Sequence, residues 1–376
     1  MRLSRTYWWS AIDTALVFPA MTIVILGLVS MASADAHSVF FEKQIIWFSV
    51  SLAVFLVAQS FEYRFLRNTS VVLTLFLVTI GLLFATFVLG SVFKGARSWI
   101  DLGLFAVQPA ELAKLTLIII LSKYFSRRHV EIAQIRHVVV SGLYAFILFA
   151  LVALQPDFGS AMILAGVWFF MVLSSGIPWR NLFGLITAGV VAVACMWFFV
   201  FAQYQKDRIM TFLHPLRDTR GAGYNAQQSV IAVGSGELFG KGLGHGTQSE
   251  LKFLPEYETD FIFATYAEEW GFVGVLMLLA LFSFIIFRLL TIASRGETNF
   301  ESLFAIGVAS LFVAETIINI GMNVAVMPVT GVALPFMSYG GSHLLVEWTL
   351  LGMIVGMKRH SRAGSREEMQ REQFSA

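Results

Sequence analysis

The sequence of 376 residues has few charged residues and almost no cysteine. Charged side chains account for 13% of the chain, about half of the roughly 25% that is usual in soluble domains. The single cysteine, Cys195, lies in an apolar run, which excludes an intrachain disulfide and a cysteine metal cluster. Hydrophobic residues reach 57%, and the 36 phenylalanines suit contact with lipid. These proportions exclude an ordinary soluble protein.

Ten apolar segments approach or exceed the length of about 20 residues that a membrane-spanning helix needs. The predicted spans are 12–31, 43–61, 69–92, 107–124, 137–155, 158–175, 181–202, 261–287, 302–325 and 343–357. The first is too long for the apolar region of a typical signal peptide, so an uncleaved helix is favoured over cleavage after the small residues Ala32–Ala34.

We therefore predict an all-α, polytopic membrane protein of ten packed helices. The transmembrane domain covers 1–357 and includes a long connection, 203–260, between the seventh and eighth helices. Residues 358–376 mix both charges and are predicted to form a solvated tail.

Lysine and arginine cluster at one set of helix ends, which hold 16 of the 26. The positive-inside rule places those ends, and both termini, in the cytoplasm. The connections on the other side are 93–106, 155–157, 203–260 and 326–342, and they contain nearly all of the unusual polar sequence. The functional site is therefore expected at the outer face of the membrane.

The motif QPAELAK carries Glu111 and Lys114 just inside the fourth span. Residues three positions apart share one helix face and can form an ion pair. Charges inside a membrane protein usually face a cavity or pathway, but a purely structural ion pair between helices is equally compatible with this spacing. In QPDFGS, Asp157 lies in a tight turn where it could simply cap the following helix.

The long connection contains GSGELFGKGLGHG, which superficially resembles a phosphate-binding loop. It does not match the Walker pattern, because Ser235 stands where the first glycine is required and Gly242 follows Lys241. Its glycines could still bring backbone N–H groups close to an anion, and a flexible connector is the alternative. Connections this long without clear secondary structure are usually functional or disordered, and this one is too apolar for disorder.

Residues 328–342, PVTGVALPFMSYGGS, carry no charge and contain two prolines and three glycines. Broken backbone is tolerated at membrane depth when it is buried in protein or lines a wet cavity. We interpret this re-entrant segment as the scaffold of a site, without chemistry of its own.

Five carboxylates lie within FLPEYETDFIFATYAEEWGFVG, residues 253–274. Asp260 is predicted to begin the eighth span, and Glu268, eight residues later, shares nearly the same helix face. A carboxylate at the rim of a low-dielectric cavity can accept a proton from a hydroxyl. The helix dipole could also explain Asp260, but it explains the deeper Glu268 poorly. A functional role is favoured for Asp260.

Together these pieces resemble the SEDS family (shape, elongation, division and sporulation), bacterial membrane proteins that polymerise peptidoglycan glycan strands. The resemblance rests on GARSWIDLGLFAVQPAELAK, LQPDFGSAMIL, FLPEYETDFIFATYAEEWGFVG and NIGMNVAVMPVTGVALPFMSYGGS, and it spans essentially the whole chain. Four further motifs are more similar to the elongation branch of the family, the RodA type, than to the division branch. They are GYNAQQS, GSGELFGKG, GTQS and AEEWGF.

The resemblance implies particular site residues. The essential aspartate of the family's TDFIF motif falls on Asp260, the glutamate and lysine of QPSELAK on Glu111 and Lys114, and the aspartate of QPD on Asp157.

The chain departs from the family pattern at three positions without removing any of these groups. Ala110 replaces a serine, Glu258 stands where histidine is common, and His343 replaces a small residue after YGGS. Glu258 adds negative charge near Asp260 and could raise its pKa or help to hold a cation.

The implied reaction joins lipid II units at the bacterial cytoplasmic membrane. The C4 hydroxyl of one unit attacks C1 of the sugar diphosphate on the growing strand, a β-1,4 bond forms with inversion, and polyprenyl diphosphate leaves. Such a leaving group needs positive charge more than a protonating acid. Asp260 is the candidate base, Glu111 would orient Lys114, and Asp157 and Glu268 are assigned to substrate binding. The candidates for contacting the diphosphate are Arg97, Lys114, Arg208 and Lys241.

A divalent cation, Mg²⁺ or Mn²⁺, is compatible with the surplus of carboxylates, although no ligand spacing demonstrates it. The expected partner is a class B penicillin-binding protein, a transpeptidase that crosslinks the new strand. A lipid II flippase is the alternative function, because intramembrane charge and broken helices suit a transporter too. A scaffold that only recruits the transpeptidase would leave Glu111, Lys114 and Asp260 unexplained.

Overall fold

The computed structural model describes residues 13–35, 38–93, 96–101, 103, 106–127, 135–199, 201, 203–214, 221–251 and 253–375. Its α-helices are α1 Thr14–Asp35, α2 Val39–Ala58, α3 Thr69–Leu89, α4 Pro109–Ser126, α5 Ile135–Ala153, α6 Phe158–Ser174, α7 Trp179–Phe199, α8 Gln203–Leu213, α9 Ala222–Ser235, α10 Thr247–Glu250, α11 Ile262–Ser294, α12 Asn299–Asn323 and α13 Gly341–Ser375. A 3-10 helix, Tyr63–Arg67, joins α2 to α3.

The ten predicted spans correspond to α1 to α7 and α11 to α13. Within the described residues, seven of these helices are long and apolar enough to cross a membrane, namely α1, α2, α3, α5, α7, α11 and α12. Helix α6 is apolar but shorter, and α4 carries charged residues. The prediction of an all-α polytopic membrane protein is confirmed.

Short polar residues fix where several spans begin. The Ser38 side chain accepts a hydrogen bond from the Phe41 backbone N–H at the start of α2, and Thr298 does the same for Glu301 at the start of α12. Such caps satisfy N–H groups that have no partner within the helix. Pro109 occupies the first turn of α4, where its missing N–H costs nothing.

Helix α12 lies at the centre of the bundle. Most of it is buried, and it packs against α4, α6, α9, α11 and α13. Helix α7 differs from the predicted packed bundle, because none of its residues is buried. A helix that is apolar all round is compatible with lipid contact on every side.

The connections contain more regular structure than the sequence predicted. Between α3 and α4 lie three short strands, β1 Ser91–Phe93, β2 Ala96–Asp101 and β3 Ala106–Val107, which pair antiparallel in the order β1-β2-β3. The long connection, predicted to lack clear secondary structure, contains α8, α9 and α10. Hydropathy averaged over a span is insensitive to elements this short.

Residues 324–340, called the irregular segment below, join α12 to α13 and form neither helix nor strand. Their apolar side chains are packed into the protein, with Leu334, Phe336 and Met337 almost fully buried. Irregular backbone buried in protein is the form that membrane proteins tolerate, which agrees with the predicted re-entrant segment.

Helix α11 is broken at Gly271, where the backbone has φ 65° and ψ −167°. The sequence predicted one unbroken span here. The glycine-rich loop, residues 236–244, supplies hydrogen bonds at the break. These bonds are Lys241 N to Glu268 O at 3.0 Å, Gly242 N to Glu269 O at 3.1 Å, Phe272 N to Glu237 O at 2.9 Å and Val273 N to Leu238 O at 3.1 Å. The loop thereby satisfies backbone groups that a broken helix would leave unpaired.

The glycines of this motif are required by close backbone contact. A Cβ on Gly240 would lie 2.0 Å from the carbonyl oxygen of Glu269, and a Cβ on Gly271 would lie 2.2 Å from the backbone nitrogen of Gly240. Both residues also have positive φ, which glycine adopts without strain. The loop is therefore a docked element and no flexible connector.

Candidate functional site

Asp260 lies in a turn two residues before α11 begins at Ile262, whereas the sequence predicted that Asp260 begins the span. Three successive backbone carbonyls, from Glu258 to Asp260, are each held by a hydrogen bond. Tyr339 N donates to Glu258 O at 2.8 Å, and Ser338 Oγ donates to Thr259 O at 2.7 Å. The irregular segment thus fixes the backbone that carries Asp260.

Two asparagines of α12 hold the third carbonyl. Asn319 Nδ2 donates to Asp260 O at 3.0 Å and to Val332 O at 2.7 Å, and Asn323 Nδ2 donates to Asp260 O at 3.1 Å. Both asparagines are fully buried, and Ser229 of α9 donates to the backbone carbonyl of Asn323 at 2.8 Å. Buried amides that satisfy carbonyls in this way resist displacement, because a lost partner leaves a buried polar group unpaired.

The Asp260 side chain is only partly buried. Its Oδ2 faces the backbone of Gly331, where a Cβ would come within 3.4 Å of the carboxylate. Gly331 has φ +74°, so both its conformation and the space beside Asp260 favour glycine. A fixed backbone with a partly exposed carboxylate is a suitable arrangement for a general base.

Glu258 lies two residues before Asp260 and is buried. Burial raises the pKa of Glu258, although hydrogen bonds from Ser38 and Tyr257 act in the opposite direction. Burial and the nearby Glu258 charge also raise the pKa of Tyr339. Within the described part of the chain, Glu258 Oε1 has no hydrogen-bond partner. The residue therefore adds a poorly solvated acid to the surroundings of Asp260.

Lys114 and Glu111 belong to a buried ionic group. Lys114 Nζ donates to Glu111 Oε1 at 2.7 Å and to Glu315 Oε1 of α12 at 2.8 Å, and all three side chains are buried. His343 Nδ1 of α13 lies 3.1 Å from Glu111 Oε2. The predicted pair thus joins three helices of the bundle.

The ligand atoms of Glu111, Glu315 and His343 lie within 4.8 Å of one another, a spacing that could suit a metal ion. The Lys114 ammonium already donates to both carboxylates, so a divalent cation would have to displace a paired, buried charge. These residues therefore do not fit a metal site.

Asp157 caps α6 by accepting a hydrogen bond from Ser160 N at 3.0 Å through Oδ1. Its Oδ2 accepts a second from Gln108 Nε2 at 2.8 Å. Gln108 precedes α4, and its backbone N–H donates to Ser342 Oγ at the start of α13. Asp157 therefore links the turn before α6 to the QPAELAK and YGGS motifs.

Glu268 and Lys241 pair with each other at 2.6 Å, and Glu268 is fully buried. Glu268 also accepts hydrogen bonds from Thr247 Oγ1 at 3.1 Å and from Gln248 N at 3.2 Å. The neighbouring Glu269 accepts from Ser33 of α1. Both carboxylates therefore anchor the glycine-rich loop and its surroundings, whereas the sequence assigned Glu268 and Lys241 to substrate.

Arg208 of α8 is half-buried and lines a small cavity together with Pro328 and Val329 of the irregular segment. These two residues lie close in sequence to Gly331, which faces the Asp260 carboxylate. Arg97 lies in β2, and its side chain is outside the described part of the structure. Among the predicted cations whose side chains the structure describes, Arg208 lines a cavity on the irregular segment.

Several residues at this site were not predicted from the sequence. Glu315, Glu347, Asn319 and Asn323 stand in apolar helices, and their signal was the cost of a polar side chain in hydrocarbon. His343 was noted only as a departure from the family pattern.

The fold and the site together define a polytopic helical membrane protein whose polar motifs meet around one irregular segment. A family model described as "Cell cycle protein", FtsW/RodA/SpoVE, matches residues 7–363. The chain belongs to this family.

The similar proteins are named for cell-wall synthesis or sporulation. The chain is 37% identical to "Peptidoglycan glycosyltransferase MrdB" of Escherichia coli K12, over 95% of this chain and 96% of that protein. It is 34% identical to "Stage V sporulation protein E" of Bacillus subtilis, over 93% and 98% of the two chains.

Two solved structures share the fold. One, described as "Structural coordination of polymerization and crosslinking by a peptidoglycan synthase complex", has a TM-score of 0.80 and 31% identity, and covers 93% of this chain and 98% of that one. The rod shape determining protein RodA of Thermus thermophilus has a TM-score of 0.71 and 31% identity, with 94% and 98% coverage.

Proposed function

We propose that the chain is a peptidoglycan glycosyltransferase of the elongation type, which joins lipid II units into glycan strands. The observation that carries the proposal is the fixed backbone of Glu258 to Asp260, which presents one partly exposed carboxylate at the irregular segment. The similarity to proteins named peptidoglycan glycosyltransferases supports the reaction class.

In the proposed reaction, Asp260 takes the proton of the acceptor's C4 hydroxyl. The hydroxyl oxygen forms a bond to C1 of the donor sugar, and the bond between C1 and the diphosphate oxygen breaks. The diphosphate leaves with the electron pair, so no oxidant or reductant is involved. The role of the protein is to hold the base and the two substrates in line, which alone can contribute several kcal/mol.

Positive charge is needed beside the leaving diphosphate. Arg208 is the preferred candidate because it lines a cavity, and Arg97 remains a proposal from the sequence. Lys114 and Lys241 are already paired with carboxylates, so we propose that they act by holding the site together. Asp157 is proposed to keep the α4, α6 and α13 ends in register.

A divalent cation requirement is a separate proposal. Mg²⁺ is commonly bound by one or two carboxylates together with substrate phosphates. Asp260 and Glu258 are the carboxylates that would take part, and the ion would add positive charge against the diphosphate. The reaction steps above do not depend on it.

We propose that the protein works in the bacterial cytoplasmic membrane with its termini inside and Asp260 facing outward. The distribution of lysine and arginine supports this orientation. The proposed partner is a class B penicillin-binding protein, and the likeness to a structure described as a synthase complex that coordinates polymerization and crosslinking supports it.

The test uses the purified full chain with lipid II, with Mg²⁺, with Mn²⁺ and with a chelator. Wild-type protein is expected to give glycan polymer, and Asp260→Asn to give less than about a hundredth of it, because a lost general base costs about 10²–10⁴-fold. Asp101→Asn in β2 serves as the matched control and keeps wild-type yield.

Equal polymer yield from the Asp260→Asn variant would overturn the assignment of the base. A wild-type protein that moves lipid II between leaflets without forming polymer would instead favour the flippase.

A further inference from the structure

A chain of buried contacts runs from Lys114 toward the irregular segment. Lys114 binds Glu111, and the second oxygen of Glu111 lies 3.1 Å from His343 Nδ1. His343 Nε2 lies 3.1 Å from Glu347 Oε1, at ion-pair distance but not aligned for a hydrogen bond. Glu347 Oε2 then accepts a hydrogen bond of 2.9 Å from the backbone N–H of Phe336.

The protonation of His343 follows from this geometry. Both ring nitrogens face carboxylate oxygens. In a neutral imidazole one nitrogen would point its lone pair at a carboxylate oxygen, whereas the imidazolium carries a proton on each nitrogen. The geometry therefore favours the imidazolium. The charged groups around it are Glu111 and Lys114 of α4, Glu315 of α12 and Glu347 of α13. His343 thus holds Glu347 by charge, in a place where an unpaired carboxylate would be costly.

Phe336 is the point where this chain of contacts meets the irregular segment. It has φ 61°, a left-handed conformation that is uncommon for a bulky side chain. Its ring is buried against Phe312 at 5.1 Å and Trp348 at 5.9 Å between centroids. The Glu347 carboxylate therefore accepts a hydrogen bond from the backbone N–H of a buried residue in a strained conformation.

The same segment carries the groups that hold the Asp260 backbone. The backbone carbonyls of Val332 and Asp260 both accept hydrogen bonds from Asn319. Ser338 donates to the carbonyl of Thr259, and Tyr339 donates to that of Glu258. Phe336 lies between these contacts in the sequence. A shift at Phe336 would consequently be transmitted to both sides of the turn that carries Asp260.

We infer that His343 and Glu347 are positioning residues for Asp260, acting through Phe336 and the irregular segment. This inference rests on the proposed function, because the quantity they set is the placement of the proposed base. The Lys114–Glu111 pair holds His343, His343 holds Glu347, and Glu347 accepts the hydrogen bond from the backbone of the irregular segment. Neither residue touches substrate in this role.

The test compares Glu347→Leu with Glu347→Gln in the full-length protein. Leucine removes the acceptor for the Phe336 N–H, and we expect kcat with lipid II to fall about tenfold, equivalent to about 1.4 kcal/mol, with KM unchanged within twofold. Glutamine keeps a side-chain oxygen for that N–H and is expected to stay within twofold of wild type. Glu301→Leu, which replaces a partly buried carboxylate in the first turn of α12, is the matched control and keeps wild-type kcat.

Hydrogen exchange gives a readout that does not depend on activity. In Glu347→Leu, amide exchange in peptides covering 331–340 and 257–261 should become at least tenfold faster, and in Glu347→Gln it should not. A merely structural role predicts a lower thermal midpoint for Glu347→Leu, because His343 loses its charged partner, with no selective change of exchange in these two peptides.

Wild-type kcat in Glu347→Leu, or unchanged exchange in both peptides, would overturn the inference. An inactive wild type would contradict the proposed function alone, and the exchange data would then decide this inference by themselves. If Glu347→Leu does not fold, His343→Asn, which shortens the reach to Glu347, is judged by the same two measurements.

Discussion

Asn319 donates a side-chain hydrogen bond to the backbone carbonyl of Asp260 at 3.0 Å and so ties the central helix α12 to the proposed base. The same amide reaches Val332 in the irregular segment at 2.7 Å. One buried side chain thus connects α12 and the irregular segment that follows it to a turn 59 residues earlier in the sequence.

Replacing Asn319 with leucine keeps the size of the side chain but removes the two hydrogen bonds that its amide donates, so Val332 O loses this donor and Asp260 O keeps only Asn323 of the two asparagines. An unpaired buried carbonyl costs about 1–3 kcal/mol, and a misplaced catalytic group can cost about 100-fold in rate. We expect Asn319→Leu to lower the thermal midpoint and to reduce polymerisation at least tenfold. Ser310→Ala on the same helix removes only a bond to its own helix and should behave as wild type. Equal activity of Asn319→Leu and wild type would show that the Asn319 hydrogen bonds do not position Asp260.

The close contact at the break of α11 predicts a large difference between two glycine substitutions. Gly240→Ala places a Cβ 2.0 Å from a backbone oxygen in a residue with positive φ, and should destabilise by about 2 kcal/mol or more. Gly81→Ala in α3 meets open space and should be neutral or stabilising by up to about 1 kcal/mol. Thermal unfolding in detergent measures both. Similar midpoints for the two variants would contradict the docked loop.

Two lysines distinguish a buried ion pair from a partly exposed one. Lys114→Met leaves Glu111 and Glu315 without their shared cation and should cost about 3–5 kcal/mol. Lys241→Met should cost much less, because Lys241 is 28% exposed and Glu268 keeps the donors Thr247 and Gln248.

Adding Glu315→Gln to the Lys114→Met variant should restore part of the lost stability, since one of the unpaired charges is removed. Thermal unfolding of the two single variants and the double variant measures this coupling. A strictly additive double variant would argue against the ionic group, and a selective rise of KM in Lys241→Met would return Lys241 to a role in substrate binding.

The raised pKa of Glu258 predicts a specific pH dependence of stability. In the folded protein Glu258 keeps its proton at pH values above its ordinary pKa of 4.5, because burial raises that pKa. Between pH 4.5 and the raised pKa, the folded protein therefore binds more protons than the unfolded chain. Stability from this group is therefore fully present below about pH 4.5 and falls as the pH rises through the folded-state pKa. The stability of Glu258→Gln should not show this decrease, so the variant should become more stable relative to wild type as the pH is raised.

Thermal unfolding between about pH 4 and 8 measures the difference between the Glu258→Gln and wild-type curves. The exposed Glu42→Gln provides the control for the loss of one carboxylate. Parallel curves for Glu258→Gln and wild type would show that Glu258 titrates in the folded protein as it does in the unfolded chain.

The helices of the bundle could be predicted because hydropathy needs only local sequence. Each predicted span has its helix, and Glu111 and Lys114 do share one face as their spacing indicated. The N-terminal cap by Asp157 also follows from a local pattern.

Contacts between distant segments could not be predicted in this way. Asn319 and Asn323 lie one turn apart on one helix, which suggests that they bind the same group. The spacing does not indicate that this group is the backbone carbonyl of Asp260. Gly271 reads as an ordinary glycine in an apolar run, because its partner Gly240 comes from a loop docked by tertiary structure. Glu315 stands out by charge alone, and only the packing of α12 against α4 reveals Lys114 as its partner. His343 and Glu347 lie four residues apart on α13, but only the packing of α13 against α4 reveals Glu111 as the second partner of His343.

The docking of residues 236–244 onto the break at Gly271 sets a rule for protein engineering in this family. A chimera that takes the loop from one relative and helix α11 from another would mismatch backbone groups on both pieces at once. Functional swaps are therefore expected only when both stretches are exchanged as a single cassette, with junctions placed upstream of Gly236 and downstream of Val273.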